Sequence, residues 1–125
     1  MRNYTRSLML LAVILGCAAA SFAQVKTGGF KKVSVSDAAV VAAAEFALGA
    51  QADKENTGIE LVTIETAERQ TAAGANYKIC MLVTLTDEYS EEPYDQFVSA
   101  LVFSSLKNQY TLKSWTEVED CGNNE

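Results

Sequence analysis

Apolar residues recur at helical spacing in one stretch of the chain and alternate with polar residues in the stretches that follow. From Ser34 to about residue 52 the apolar positions repeat every three or four residues, which predicts one long helix. Ser34 or Ser36 is expected to cap this helix, with Asp37 in its first turn, where the helix dipole favours an anion. The expected buried face is made mostly of small residues, so it can lie close against a sheet: Val40, Val41, Ala44, Ala47 and Leu48.

Four segments after the helix alternate with the period of a β-strand. They cover residues 59–68, 76–86, 96–104 and 110–118. In the second segment Tyr77 and Ile79 share one face, while Cys80 lies on the other. One helix followed by four consecutive strands predicts an α+β fold, with the helix packed across an antiparallel meander.

The longest connection between these strands is acidic and covers residues 86–95. It lacks the ligand spacing and the central glycine of an EF-hand loop. No apolar neighbour is present that would bury a catalytic carboxylic acid. We interpret the segment as a solvated surface loop.

The chain contains no histidine. This excludes a Ser-His-Asp triad, a Cys-His nucleophile and a histidine-based zinc site. No phosphate-binding loop, dinucleotide fingerprint or Gly-x-Ser-x-Gly motif occurs either. We therefore expect no enzyme activity, no cofactor and no metal; a small enzyme that acts through carboxylates, on a similar curved-sheet fold, is the alternative.

The first 23 residues have the pattern of a signal peptide. Arg2 and Arg6 are basic, an apolar run follows from Leu8, and small residues end at Ala23. The run is too short to span a membrane. Cleavage after Ala23 leaves one domain, residues 24–125, in a secreted or periplasmic protein. A lipid-modified N-terminus at Cys17 is the alternative, but Leu15 fits a lipobox poorly.

Removing the signal peptide makes the chain more acidic. Arg2 and Arg6 are two of ten basic residues, against sixteen acidic ones, so the net charge changes from −6 to −8. Such a charge argues against nucleic acid and against an anionic membrane as partners of the mature form. We expect the mature form to be a monomer.

Two cysteines remain in the mature chain, and Cys80 can pair only with Cys121. An oxidising compartment makes that disulfide the expected state, with two free thiols as the alternative. In a plain meander the strands carrying them are two spacings apart, about 9.6 Å, beyond the reach of a disulfide. The chain after Val118 must therefore curl back over the sheet, or the bridge does not form.

The segment between the first two strands reads Gln-Thr-Ala-Ala-Gly, from Gln70 to Gly74, and continues with Asn76 and Tyr77. It resembles the first-loop signature of the cystatin superfamily, Gln-x-Val-x-Gly. Gly28 and Gly29 match that family's N-terminal glycine pair, and residues 102–108 are similar to the second hairpin loop of its stefin branch. The four features, with the helix in between, occur in the family's order along almost the whole mature chain.

The resemblance implies a cystatin-like fold, with one long helix across a curved antiparallel meander of four to five strands. It also implies reversible, non-covalent inhibition of papain-like cysteine proteases, whose active-site cleft is blocked by an N-terminal trunk and two hairpin loops. We expect Gln70 to hold the first loop in shape, and a Gly74 substitution to reduce inhibition more than stability. The protease-binding residues it implies are Gly28, Gly29, Gln70, Thr71, Ala72, Ala73, Gly74, Ser105 and Leu106.

Three departures from the family pattern predict a weaker or narrower inhibitor. Ala72 stands where the family signature has valine. The second loop carries Leu106 in place of a Pro-Trp pair, and Trp115 falls within the last strand. The trunk before Gly28 is short of large apolar side chains. A cystatin-fold binding module without inhibitory activity is therefore the alternative function.

Overall fold

A computed structural model of the protein describes residues 29–87, 89 and 92–122. One antiparallel sheet has its strands in chain order, and a single helix of the described residues packs on one of its faces. The elements are β1 (Lys31–Lys32), α1 (Ala38–Glu55), β2 (Gly58–Thr71), β3 (Ala75–Thr86), β4 (Tyr94–Ser104) and β5 (Tyr110–Val118). The predicted α+β meander is confirmed, with five strands.

The helix begins later and ends later than the sequence pattern predicts. Asp37 is the N-cap, because its carboxylate accepts a hydrogen bond of 3.0 Å from the backbone N–H of Ala39. The hydroxyl groups of Ser34 and Ser36 instead bond each other at 2.8 Å, so the prediction that one of them caps the helix was wrong. Asn56, in the left-handed conformation with φ 52°, ends the helix.

The core lies between the helix and the sheet. Its helical face repeats at i, i+3, i+4, i+7 and i+8 and consists of Val40, Ala43, Ala44, Ala47 and Leu48. Ala43 replaces the predicted Val41, which is only partly buried because it lies to one side of this stripe. Three alanines allow a close approach to the sheet. The residues of the two central strands that face the helix are Tyr77, Ile79, Met81, Val83, Leu85, Val98, Ala100 and Val102.

The strand β2 is longer than its sequence pattern and carries two register shifts, between Leu61 and Thr63 and between Ile64 and Thr66. Each shift inserts a residue that interrupts the alternation. The strand β1 was not predicted as an element, since two lysines carry no periodic signal. It forms because β2 extends far enough to pair Lys31 with Arg69.

The predicted disulfide is present, and it joins Cys80 to Cys121 across a Cα–Cα distance of 5.6 Å. Cys80 pairs in the sheet with Ser99, which in turn pairs with Thr116 of β5. The segment after Val118 therefore crosses back over β4 to reach β3. The curl that the strand spacing demanded is confirmed.

Across the described residues, no helix is both long and apolar enough to cross a membrane. The predicted signal peptide, its cleavage site after Ala23 and the alternative lipid site at Cys17 all lie outside the described residues.

Candidate functional site

The pairing of the strands brings the three predicted binding elements to one end of the sheet. Thr71 pairs with Ala75, Ala75 with Ser104, and Ser104 with Tyr110. Lys31 pairs with Arg69, so Gly29, two residues earlier, lies level with Thr71. We use the name loop end for this row of paired residues together with three adjoining segments. These segments are the first hairpin loop (residues 72–74), the second hairpin loop (residues 105–109) and residues 29–30. Five strands at about 4.8 Å spacing make the loop end about 19 Å wide.

The first hairpin loop is tight and is built from small residues. The backbone N–H of Ala72 donates to the carbonyl oxygen of Gly74 at 3.1 Å. Ala73 and Gly74 both have positive φ, 43° and 124°. Glycine adopts such a conformation without a steric penalty, whereas alanine does so at a cost of about 1–2 kcal/mol. The loop therefore presents backbone and methyl groups.

Gly74 also lies close to the end of β4, just before the second hairpin loop. A Cβ atom at this position would overlap the backbone carbonyl oxygen of Ser104 and lie 3.1 Å from the ring of Phe103. A backbone oxygen cannot move aside as the end of a side chain can. The expectation that a Gly74 substitution spares stability is therefore not supported, because the glycine is part of the packing between β3 and β4.

Gln70 and Asn76 face each other at the base of the first loop. They form a backbone pair of β2 and β3, and the side-chain amide of Asn76 donates to Oε1 of Gln70 at 3.1 Å. This cross-strand bond braces the loop as we expected of Gln70. The side-chain oxygen of Asn76, Oδ1, is buried and meets no donor among the described residues.

The second hairpin loop is held by Ser105 and presents Leu106. The hydroxyl oxygen of Ser105 accepts bonds from the backbone N–H groups of Lys107 and Gln109, at 3.2 and 3.1 Å. Its backbone bonds Gln109 and Asn108 as well. Leu106 is 81% exposed. Ser105 thus shapes the loop, and Leu106 is the side chain available for contact.

The N-terminal segment contributes a residue that the sequence did not single out. Phe30 follows Gly29 and is 38% exposed. A Cβ atom at Gly29 would meet nothing within 4 Å, so the free fold does not require glycine there. Gly28 lies outside the described residues. A large aromatic residue beside a predicted glycine pair was the available signal for Phe30.

The chemistry available at the loop end is that of binding. Its exposed side chains include Phe30, Ala73, Leu106 and Lys107. No cluster of three or more potential metal ligands exists in the part of the chain that the structure describes. The loops are braced internally, so little conformational entropy remains to be lost on docking.

Comparison with known proteins supports the fold. No protein-family model matches the chain, and no curated protein matches its sequence. Among solved structures, the chain is similar to a salivary cystatin from the soft tick Ornithodoros moubata, with a TM-score of 0.60 and 19% sequence identity. The match covers 74% of this chain and 98% of the tick protein. The chain therefore has a cystatin-like fold; a likeness at this identity shows the fold alone.

Proposed function

We propose that the protein is an exported, reversible inhibitor of papain-like cysteine proteases and not an enzyme. In this proposal the loop end enters the active-site cleft without reacting with it. The observation that carries the proposal is the alignment of Gly29, the first loop and the second loop along one end of a single sheet. The cystatin-like fold and the resemblance of Gln70–Gly74 to the cystatin first loop support it.

The shape of the loop end suits a narrow cleft. A single sheet ending in two hairpins is a thin edge, and the first loop has no side chain larger than a methyl group at its tip. Ala72 and Ala73 let the backbone approach the walls of the cleft closely, and Gly74 keeps the loop compact. Preformed hydrogen bonds at Gln70 and Ser105 lower the ordering cost of binding.

The proposed contacts divide into shape-determining residues and surface residues. Gln70, Gly74 and Ser105 determine the shape of the loops, whereas Thr71, Ala72, Ala73 and Leu106 present their surface. Gly28 and Gly29 let the N-terminal segment lie along the cleft, and Phe30 adds an apolar contact beside them. Export through the predicted signal peptide agrees with the Cys80–Cys121 bridge, because disulfides persist in oxidising compartments.

Titration of residues 24–125 against papain, with a fluorogenic peptide substrate, tests the proposal. We expect competitive inhibition at one inhibitor per protease, full recovery of activity on dilution, and an uncleaved inhibitor by mass spectrometry. A Leu106→Asp variant is the negative control. Its charge stays in water in the free protein, because residue 106 is exposed, and loses that water only when the loop is buried in the complex, so binding should weaken.

Two outcomes would contradict the proposal. Binding that leaves peptide hydrolysis intact would identify the protein as a cystatin-fold binding module without inhibitory activity. Inhibition that survives Leu106→Asp unchanged would place the contact surface away from the loop end.

A further inference from the structure

The charged side chains of the sheet are separated by sign along its length. One region consists of the second loop and the four residue pairs of each strand pair that lie nearest the loop end. In this region six exposed cations surround one carboxylate, Glu68. Glu68 is 4.0 Å from the ammonium group of Lys78. The helix adds Glu45, which follows Ala44 and precedes Phe46, whose ring stacks on Tyr110. It also adds Lys54 and Glu55, which line a shallow depression together with Lys113. The six cations are Lys31, Lys32, Arg69, Lys78, Lys107 and Lys113.

The rest of the sheet carries the opposite charge. From Thr66 and Cys80 to the far end, the described strands and loops contain carboxylates and no lysine or arginine. At Tyr94, desolvation and, after it, the carboxylates of Asp87 and Glu117 raise the pKa of the phenol. The carboxylates are Glu60, Glu65, Asp87, Glu92, Asp95, Glu117, Glu119 and Asp120.

This separation turns an acidic protein into one with a basic binding surface. A mature chain of net charge −8 repels an acidic partner at long range. Cations concentrated at the loop end reverse the local potential and align the molecule with that end forward. Charge patterns of this kind act mainly on the association rate and on the choice of partner.

We propose that the loop end selects proteases whose active-site cleft has an acidic rim, and that electrostatic steering accelerates their capture. The inference rests on the proposed function, since it specifies which papain-like proteases the loop end binds. The small tip residues of the first loop insert into the cleft, while the cations behind them lie over the rim. Apolar insertion then determines how long the complex lasts, and charge determines how quickly it forms.

Two single variants with the same change in net charge test the inference. Lys107→Gln removes a cation from the second loop, and Thr86→Glu adds a carboxylate at the far end of β3, where the exposed Thr86 pairs with Gly58. Lys31→Glu combined with Lys107→Glu enlarges the effect. Association and dissociation rates are measured by stopped-flow inhibition at 10 mM to 1 M salt. Two papain-like proteases of known structure are used, one with an acidic and one with a basic cleft rim.

With the acidic-rimmed protease, we expect the double variant to associate roughly tenfold more slowly at low salt. The difference should shrink toward 1 M salt, where the Debye length falls to about 3 Å. Dissociation rates should stay within about twofold, and Thr86→Glu should associate as fast as the unmodified protein. With the basic-rimmed protease, the double variant should associate faster than the unmodified protein.

Three results would overturn the inference while the proposed function stands. These are association rates that do not depend on salt, equal effects of Thr86→Glu and Lys107→Gln on the association rate, and a Lys31→Glu/Lys107→Glu double variant that associates as fast as the unmodified protein. Failure of the unmodified protein to inhibit either protease would instead reject the proposed function, and this inference with it.

Discussion

Truncation of Leu106 tests the contact that we propose for the second loop in a complex with a protease. Leu106→Ala removes three carbon atoms, worth about 2.4 kcal/mol if fully buried at about 0.8 kcal/mol per carbon. The side chain is 81% exposed in the free protein, so about 1.9 kcal/mol of this is gained only on binding. The inhibition constant should therefore rise roughly 25-fold.

The same exposure predicts almost no change in folding stability. The buried fifth of the side chain accounts for about 0.5 kcal/mol at most, which lies near the error of a denaturant titration. Val62→Ala is the matched control, because Val62 is another apolar side chain, 52% exposed, on β2. It lies between the pairs Leu61–Val83 and Thr63–Leu82, about 25 Å from the loop end.

The assay is a pair of measurements on each variant. Inhibition constants against papain are determined from progress curves, and unfolding free energies from urea titrations. Leu106→Ala with unchanged inhibition would refute the placement of the second loop in the cleft. A loss of stability as large as the loss of inhibition would show that Leu106 packs within the protein, contrary to its exposure.

Three further changes separate the fold from the binding surface. Gly74→Ala should reduce the unfolding free energy by about 2 kcal/mol or more, because residue 74 has a positive φ and its new Cβ would overlap the Ser104 carbonyl oxygen. Inhibition should weaken in parallel. An unchanged midpoint of urea unfolding would refute this prediction. Gly29→Ala should leave stability within about 0.5 kcal/mol but raise the inhibition constant severalfold, since its Cβ meets nothing in the free protein; unaltered inhibition would remove Gly29 from the surface. Reduction of the Cys80–Cys121 bridge, whose loop spans 41 residues, should lower the unfolding free energy by about 4 kcal/mol, while inhibition at moderate temperature persists. A loss of inhibition in parallel with the loss of stability would link the bridge to the loop end.

The fold was predictable wherever a periodic pattern decided the structure. The strands β3 and β5 agree with their predicted segments to within one residue, because each alternates regularly from end to end. The helix start was mispredicted because Ser34, Ser36 and Asp37 are all good capping residues, and only the backbone geometry distinguishes them. Val41 was misassigned because a stripe of alanines and valines has weak contrast between its faces.

The sequence motifs predicted which segments form the loops of the candidate site, but not how the residues of those loops are arranged in space. The Gln70–Gly74 pattern identified the first loop, and the order of the elements identified the second. The contact between Gly74 and Ser104 depends on the register of β3 against β4, which sequence spacing does not reveal. The grouping of cations also depends on register, since Lys31, Arg69 and Lys113 are far apart in the chain.

The close approach of Gly74 to Ser104 has a consequence for diversification of this protein. The carbonyl oxygen of Ser104, the residue before the second loop, occupies the space that a side chain at position 74 would need, so a change in the course of either loop must keep that space clear. A change of binding partner, in evolution or in a designed library, would therefore proceed by substitution of surface side chains while the backbone of the two loops stays the same. Phe30, Ala72 and Leu106 are the positions where such exchanges alter the outer surface without disturbing the junction between the loops.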